Sequence, residues 1–160
     1  MDNGHKLLIS ELVKLLNGGG AHATFKDAIK NLPADLRGVT PENMPYSIWQ
    51  LTEHIRIAQW DILEFSRNPR HISPKWPEEY WPKEKSPKND AAWKACIKQI
   101  KLDREAFIAL LEDIEADLFK PFPHGDGQNL LREAMLIADH NSYHVGEVVA
   151  IRRLLGDWKA

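Results

Sequence analysis

Two histidines one helical turn apart, His140 and His144 in the run Asp139-His140-Asn141-Ser142-Tyr143-His144, are the residues of this chain best placed to do chemistry. Positions i and i+4 of an α-helix share one face, so both imidazoles can be aimed at a single point. They belong to the series Ile137, His140, His144, Val148, Ile151, in which each histidine interrupts an otherwise apolar, core-facing stripe. A third histidine, His54, stands in the same way between Leu51 and Ala58. Burying an unpaired polar group costs about 1–3 kcal/mol, and three protonated imidazoles would repel one another. A divalent cation answers both problems by taking a lone pair from each neutral ring. Three ligands do not close a tetrahedral site, so one position stays open for water or substrate, and a water or thiol bound there becomes a stronger acid. Imidazole-only ligation suits Zn, Ni, Co or Fe(II), and ligand type does not choose among them. The competing reading of the same spacing is a hydrogen-bonded structural cluster.

The remaining chemical side chains carry less. Glu53, Asp139, Asn141, Tyr143 and Glu147 are near the histidines in sequence, but neighbouring positions on a helix face different ways, so none is assigned as a partner of a ring. His124 precedes the last helix in a Pro/Gly loop and is expected to be exposed. His5, His22 and His71 have no ligand spacing. Cys96, the single cysteine, reads as a packed thiol and excludes an intramolecular disulfide. Neither a phosphate-binding glycine loop, nor a nucleophile elbow, nor a His-Glu-x-x-His motif is present.

Helices must position the triad, and four long ones are legible. The first spans about His5 to Leu16, with Leu8, Leu12 and Leu15 at helical spacing, and stops at Gly18-Gly19-Gly20. A short continuation begins at Thr24 with Asp27 three residues on, and Pro33 ends it. Ser47 and Gln50 form a capping box at the start of the second, whose stripe runs Leu51, His54, Ala58, Ile62, Phe65 as far as Asn68-Pro69, with Glu53, Arg56, Gln59 and Arg67 on its polar side. From Pro69 to Asn89, five prolines forbid a long helix. Trp76, Tyr80 and Trp81 there read first as pins holding the loop across a bundle end, with a lid over a site as the alternative. The third helix is expected from Asp90 to Leu118, with Trp93, Ile97, Ile100, Phe107, Leu111, Ile114 and Leu118 on its buried side. The fourth is expected from Gln128 to Leu155, ahead of Gly156. With no β-alternating run, the fold class is all-α, a four-helix bundle.

The 160 residues are expected to form one domain, 1–160. A net charge of −2 with interleaved signs lacks the basic face that nucleic acid requires. No apolar run approaches the ~20 residues that span a bilayer, and the segment from Met1 to Leu16 lacks the tripartite pattern of a signal peptide. A cytoplasmic protein is the expectation.

Two stretches also resemble a known family. Pro45-Tyr46-Ser47-Ile48-Trp49-Gln50-Leu51-Thr52-Glu53-His54-Ile55-Arg56-Ile57-Ala58-Gln59-Trp60-Asp61 is similar to the second-helix signature of the DinB/YfiT-like family, and Ala138-Asp139-His140-Asn141-Ser142-Tyr143-His144-Val145-Gly146-Glu147 to its helix with two ligands. The resemblance implies an up-down-down-up bundle, a divalent-metal site at His54, His140 and His144, and a homodimer formed through bundle faces. It also implies chemistry with low-molecular-weight thiols such as bacillithiol or mycothiol, since characterised relatives include thiol-dependent S-transferases and isomerases. Three functions follow as alternatives: a metal-dependent thiol S-transferase acting on a small-molecule substrate, a metal-dependent hydrolase with Glu53 or Glu147 moving protons, and a non-catalytic, stress-associated metal-binding dimer.

Overall fold

The computed structural model describes residues 3–158, and no strand occurs among them. The chain forms helices α1 (Asn3–Leu16), α2 (Phe25–Ile29), α3 (Ile48–Arg67), α4 (Asp90–Glu112) and α5 (Leu130–Leu154), with single 3₁₀ turns at Ala34–Leu36 and Glu78–Tyr80.

Local chemistry sets most of the ends. At α3, Ser47 Oγ accepts from Gln50 N and Gln50 Oε1 accepts from Ser47 N, each at 3.2 Å, which completes the expected capping box. The Thr24–Asp27 pair does the same for α2. Helix α1 stops where Gly18 and Gly19 take φ of 105° and 58°, a left-handed region open to glycine, and their N–H groups donate back to Leu15 and Lys14 carbonyls. Its buried face is Ile9, Leu12 and Leu16: Leu12 is buried as expected, the other two lie one position on from Leu8 and Leu15, and Leu15 is half exposed.

Helix α4 ends at Glu112 rather than Leu118. Asp113 Oδ1 accepts from Glu115 N, and Asp117 Oδ1 accepts from the amides of Phe119 and Lys120. Short acidic side chains that capture nearby amides offer the backbone an alternative to the helix, and here they win. Ile114 is therefore solvent-exposed, whereas Leu118 is buried from the loop. Helix α5 starts at Leu130 because Asn129 Oδ1 caps Arg132 N at 2.9 Å.

Helix α1 packs on α4 and α5, and α3 packs on the same two, so the bundle closes in the order α1, α4, α3, α5. The interior falls into two apolar clusters. One holds Ile9, Leu12, Leu16, Leu63, Phe107, Leu111, Leu118 and Ile137. The other holds Ile48, Trp49, Leu51, Ile55, Trp93, Ile100, Val148 and Ile151, with α2 and, from the segment 69–89, Trp81 packed against it. No helix among the described residues is long and apolar enough to cross a membrane.

Candidate metal centre

Helix α3 brings His54, and α5 brings His140 and His144, to one place on the inner side of the bundle. One ring nitrogen from each lies within 4.8 Å of the others. His54 and His144 are buried, and His140 is partly so. Ile137, Val148 and Ile151 on the same stripe of α5 are buried as the periodicity requires.

The outer nitrogens decide which lone pairs face inward. His54 Nδ1 lies 2.9 Å from the carbonyl oxygen of Tyr80, which can only accept, so the proton sits on Nδ1 and the Nε2 lone pair is free. His144 Nδ1 lies 2.6 Å from Glu147 Oε2, a carboxylate three residues on along the same helix. This carboxylate–imidazole pairing is the usual orienting contact of a ligating histidine. His140 Nδ1 is held more weakly, 3.4 Å from Asn141 Oδ1, and Asn141 is itself tied through Gln59 to the Ile100 carbonyl. His140 Nε2 and His54 Nε2 stand 2.9 Å apart.

Stacking completes the surround. The indole of Trp81 lies flat on His54, with centroids 3.8 Å apart and planes 3° from parallel, and its other face takes Tyr46 at 3.8 Å. Tyr143, largely exposed, sets its ring edge against His144 at 5.0 Å.

The residues fit a divalent cation. Three imidazoles, buried or partly so, bring ring nitrogens within 4.8 Å of one another, two of them at 2.9 Å, and an all-imidazole donor set suits such an ion. Burial, followed by the mutual proximity of the rings, holds His54 down to about 4, and the same two causes hold His144 down to about 4. Burial also lowers His140. All three rings are thus neutral at physiological pH and offer lone pairs rather than charge.

Other sequence candidates lie elsewhere. Glu53 is ion-paired with Arg56 and lines a groove with Cys96 and Gln99 beside α4. Cys96 is buried, and that burial pushes its thiol up, so it is a packing group. His124 is not a free loop residue: its Nε2 donates to the Phe65 carbonyl at 2.8 Å and its ring stacks on Phe122. His71 reaches Asp61 Oδ1 at 2.7 Å. Gln59, expected on the polar side of α3, is buried and bonded on both ends of its amide. Sequence reasoning missed Tyr80 and Trp81 as parts of the site. The one signal was three aromatic residues in a proline-rich segment between two strongly patterned helices. Tyr80 and Trp81 fasten the segment onto the triad itself, whereas Trp76 is largely exposed and meets Tyr80 within the segment.

No curated protein and no solved structure matches the chain. The sequence does match the family model of the DinB superfamily over residues 20–148, a span that contains all three histidines, Tyr80, Trp81 and Glu147. By that match the chain belongs to the DinB superfamily.

Proposed function

We propose that His54, His140 and His144 ligate a divalent cation such as Zn or Ni, and that the open side of this centre serves a metal-dependent S-transferase reaction with a low-molecular-weight thiol. One observation carries the reading: the outer nitrogens of His54 and His144 are both committed to acceptors, Tyr80 O and Glu147 Oε2, which leaves their inner lone pairs converging with that of His140. A bound cation supplies Lewis acidity, lowering the pKa of a thiol that joins it so that the thiolate is available at neutral pH. The protein's own residues hold the rings neutral and oriented. Trp81 covers one face of His54, which keeps water from that side.

The hydrolytic alternative needs a free carboxylate to move protons. Glu147 is engaged in orienting His144, and Glu53 is paired with Arg56 in the groove beside α4. This favours thiol transfer, in which the nucleophile arrives with the substrate. A homodimer formed through bundle faces, in the cytoplasm, accompanies this reading by family.

The test is turnover of soft electrophiles with a panel of cellular thiols, comparing metal-loaded protein with His144→Ala. A rate that requires both metal and His144 supports the proposal. Metal-loaded protein no faster than the metal-free control across the panel, with stability still raised by metal, would leave the non-catalytic metal-binding protein as the better account.

A further inference from the structure

The segment 69–89 meets the triad through two adjacent residues, and it is fastened to the bundle on both sides of them. After Tyr80 and Trp81 the fastenings are dense: Gln50 Nε2 donates to the Pro82 carbonyl, and Ser47 Oγ donates to the Lys85 carbonyl at 2.6 Å. Gly38 lies so close to this end that a Cβ there would sit 1.7 Å from Ser86 Oγ. Before Tyr80 the hydrogen-bonded fastening to α3 is one side chain, Asp61, beside which the Trp60 indole packs edge-on against His71, with centroids 5.2 Å apart. Asp61 accepts from the Tyr80 hydroxyl through Oδ2 at 2.5 Å, and its Oδ1 meets His71 Nε2 at 2.7 Å. Asp61 is buried, and both oxygens are used. It lies seven residues beyond His54, about 10.5 Å along the same helix, too far to touch the triad.

The two buried histidines therefore acquire their tautomers differently. His144 has its acceptor on its own helix, where Glu147 is fixed by the backbone. His54 has its acceptor on a loop, and a loop carbonyl is only as well placed as the loop. If the carbonyl of residue 80 moves away, either nitrogen of His54 can carry the proton, and the tautomer protonated on Nε2 presents a hydrogen where a lone pair is needed.

We propose that Asp61 is a positioning residue for the metal centre: by gripping the Tyr80 hydroxyl and His71 it fixes the Tyr80 carbonyl against His54 Nδ1 and keeps His54 Nε2 ready to ligate. This rests on the reading of the triad as metal ligands and adds to it a control point outside the ligand set.

The test is equilibrium Co(II) titration of the whole chain against a competing chelator, with the ligand-field absorption recorded at saturation. Asp61→Asn and Tyr80→Phe are expected to weaken binding about 10–100-fold and to shift the absorption bands, with His71→Gln moving both in the same direction by less. Leu111→Ala, in the apolar cluster away from the triad, is expected to lower Tm while leaving affinity and spectrum as in wild type. Asp61→Asn and Tyr80→Phe both within twofold of wild type, or Leu111→Ala losing affinity to the same degree, would overturn the positioning role. Should Asp61→Asn not fold, Tyr80→Phe decides, because it deletes one hydroxyl and leaves the ring. A wild-type chain that takes up no Co(II), with His54→Ala indistinguishable from it, overturns the metal reading and the positioning role with it. That result is distinct from one in which wild type binds and the variants bind equally.

Discussion

The two halves of the bundle interior are built from different materials. The half around Phe107 is aliphatic side chains and one phenyl ring, with Leu63, Phe107, Leu111 and Leu118 all fully buried. The half around Trp49 and Trp93 mixes indoles with aliphatic groups and accepts aromatic residues from the loop. Polar side chains lie where the two meet, Gln59 on α3, Asp103 on α4, and His140 and Asn141 on α5, and at the flank of the Phe107 half, Asp61 and Glu133; His54 and His144 lie at the edge of the tryptophan-bearing half. Apolar packing needs no partners beyond shape, whereas every buried polar group needs a specific one. The first half can therefore serve as scaffold, and the second can carry chemistry because its buried histidines have acceptors, the Tyr80 carbonyl from the loop and Glu147 from α5 itself.

The sharpest way to break this division is a crossed pair of truncations. Phe107→Ala should cost about 3–5 kcal/mol of folding stability, through lost burial and the cavity left behind, while retaining stoichiometric metal. His54→Ala should do the reverse, abolishing stoichiometric uptake with a smaller loss of stability in the metal-free protein. Thermal denaturation beside elemental analysis reads both. If Phe107→Ala strips the metal as thoroughly as His54→Ala, the halves are not separable.

Acid should strike the polar half first. The folded pKa values of His54 and His144, about 4, lie below the ordinary histidine value of 6.5. The unfolded chain therefore takes up protons before the folded one as pH falls. Stability of the metal-free protein is fully present above about 6.5 and should decline toward pH 4, by up to about 3 kcal/mol for each of the two rings. Burial raises the carboxyls of Glu133 and Glu147, which pull the other way at the lower end of this range. Urea denaturation at stepped pH gives the slope, and a His54→Gln/His144→Gln variant should flatten it.

Metal itself should act on one half only. A cation present at a hundred times its Kd stabilises a protein that binds it only when folded by about 2.7 kcal/mol. That increment should appear in wild type and in Phe107→Ala, and it should vanish in His144→Ala. An equal rise in Tm for His144→Ala would mean that the ion binds somewhere else.

The sequence made the scaffold legible where side-chain period and backbone capping agree. Ser47 and Gln50 announced the start of α3 because both halves of a capping box lie within four residues. The triad was legible because a histidine in an apolar stripe is conspicuous, and its residues do converge. What could not be read was anything depending on a partner far along the chain. The acceptor for His54 is a backbone carbonyl, which every residue possesses, so Tyr80 carried no mark of its role. Gln59 looked like a surface residue because its partners, Ile100 O and Asn141, are supplied by other helices. At the end of α4, Ile114 and Leu118 kept the helical period while Asp113 and Asp117 drew the backbone away from it, and the aspartates decided.

The smallest effect gives the finest comparison of the two regions, because the helix caps at Ser47 and Asn129 are alike in strength and differ in reach. Each side chain accepts one amide of the first turn of its helix, from Gln50 N at 3.2 Å and from Arg132 N at 2.9 Å. Replacing either by alanine should cost about 1 kcal/mol. Asn129 leads into α5 from the loop after α4, and its amide nitrogen reaches only the Phe119 carbonyl, at 3.4 Å. Ser47 is fully buried and also donates to Lys85 O, so it clamps the segment that carries Tyr80 and Trp81. Ser47→Ala should therefore lose somewhat more Tm than Asn129→Ala, because the Lys85 bond goes with the cap, and should bind metal several-fold more weakly, with affinity unchanged in Asn129→Ala. Equal affinity in the two variants would mean that the segment holds its place over His54 without the Ser47 bond, through stacking on Tyr46, the Gln50–Pro82 bond and the grip of Asp61.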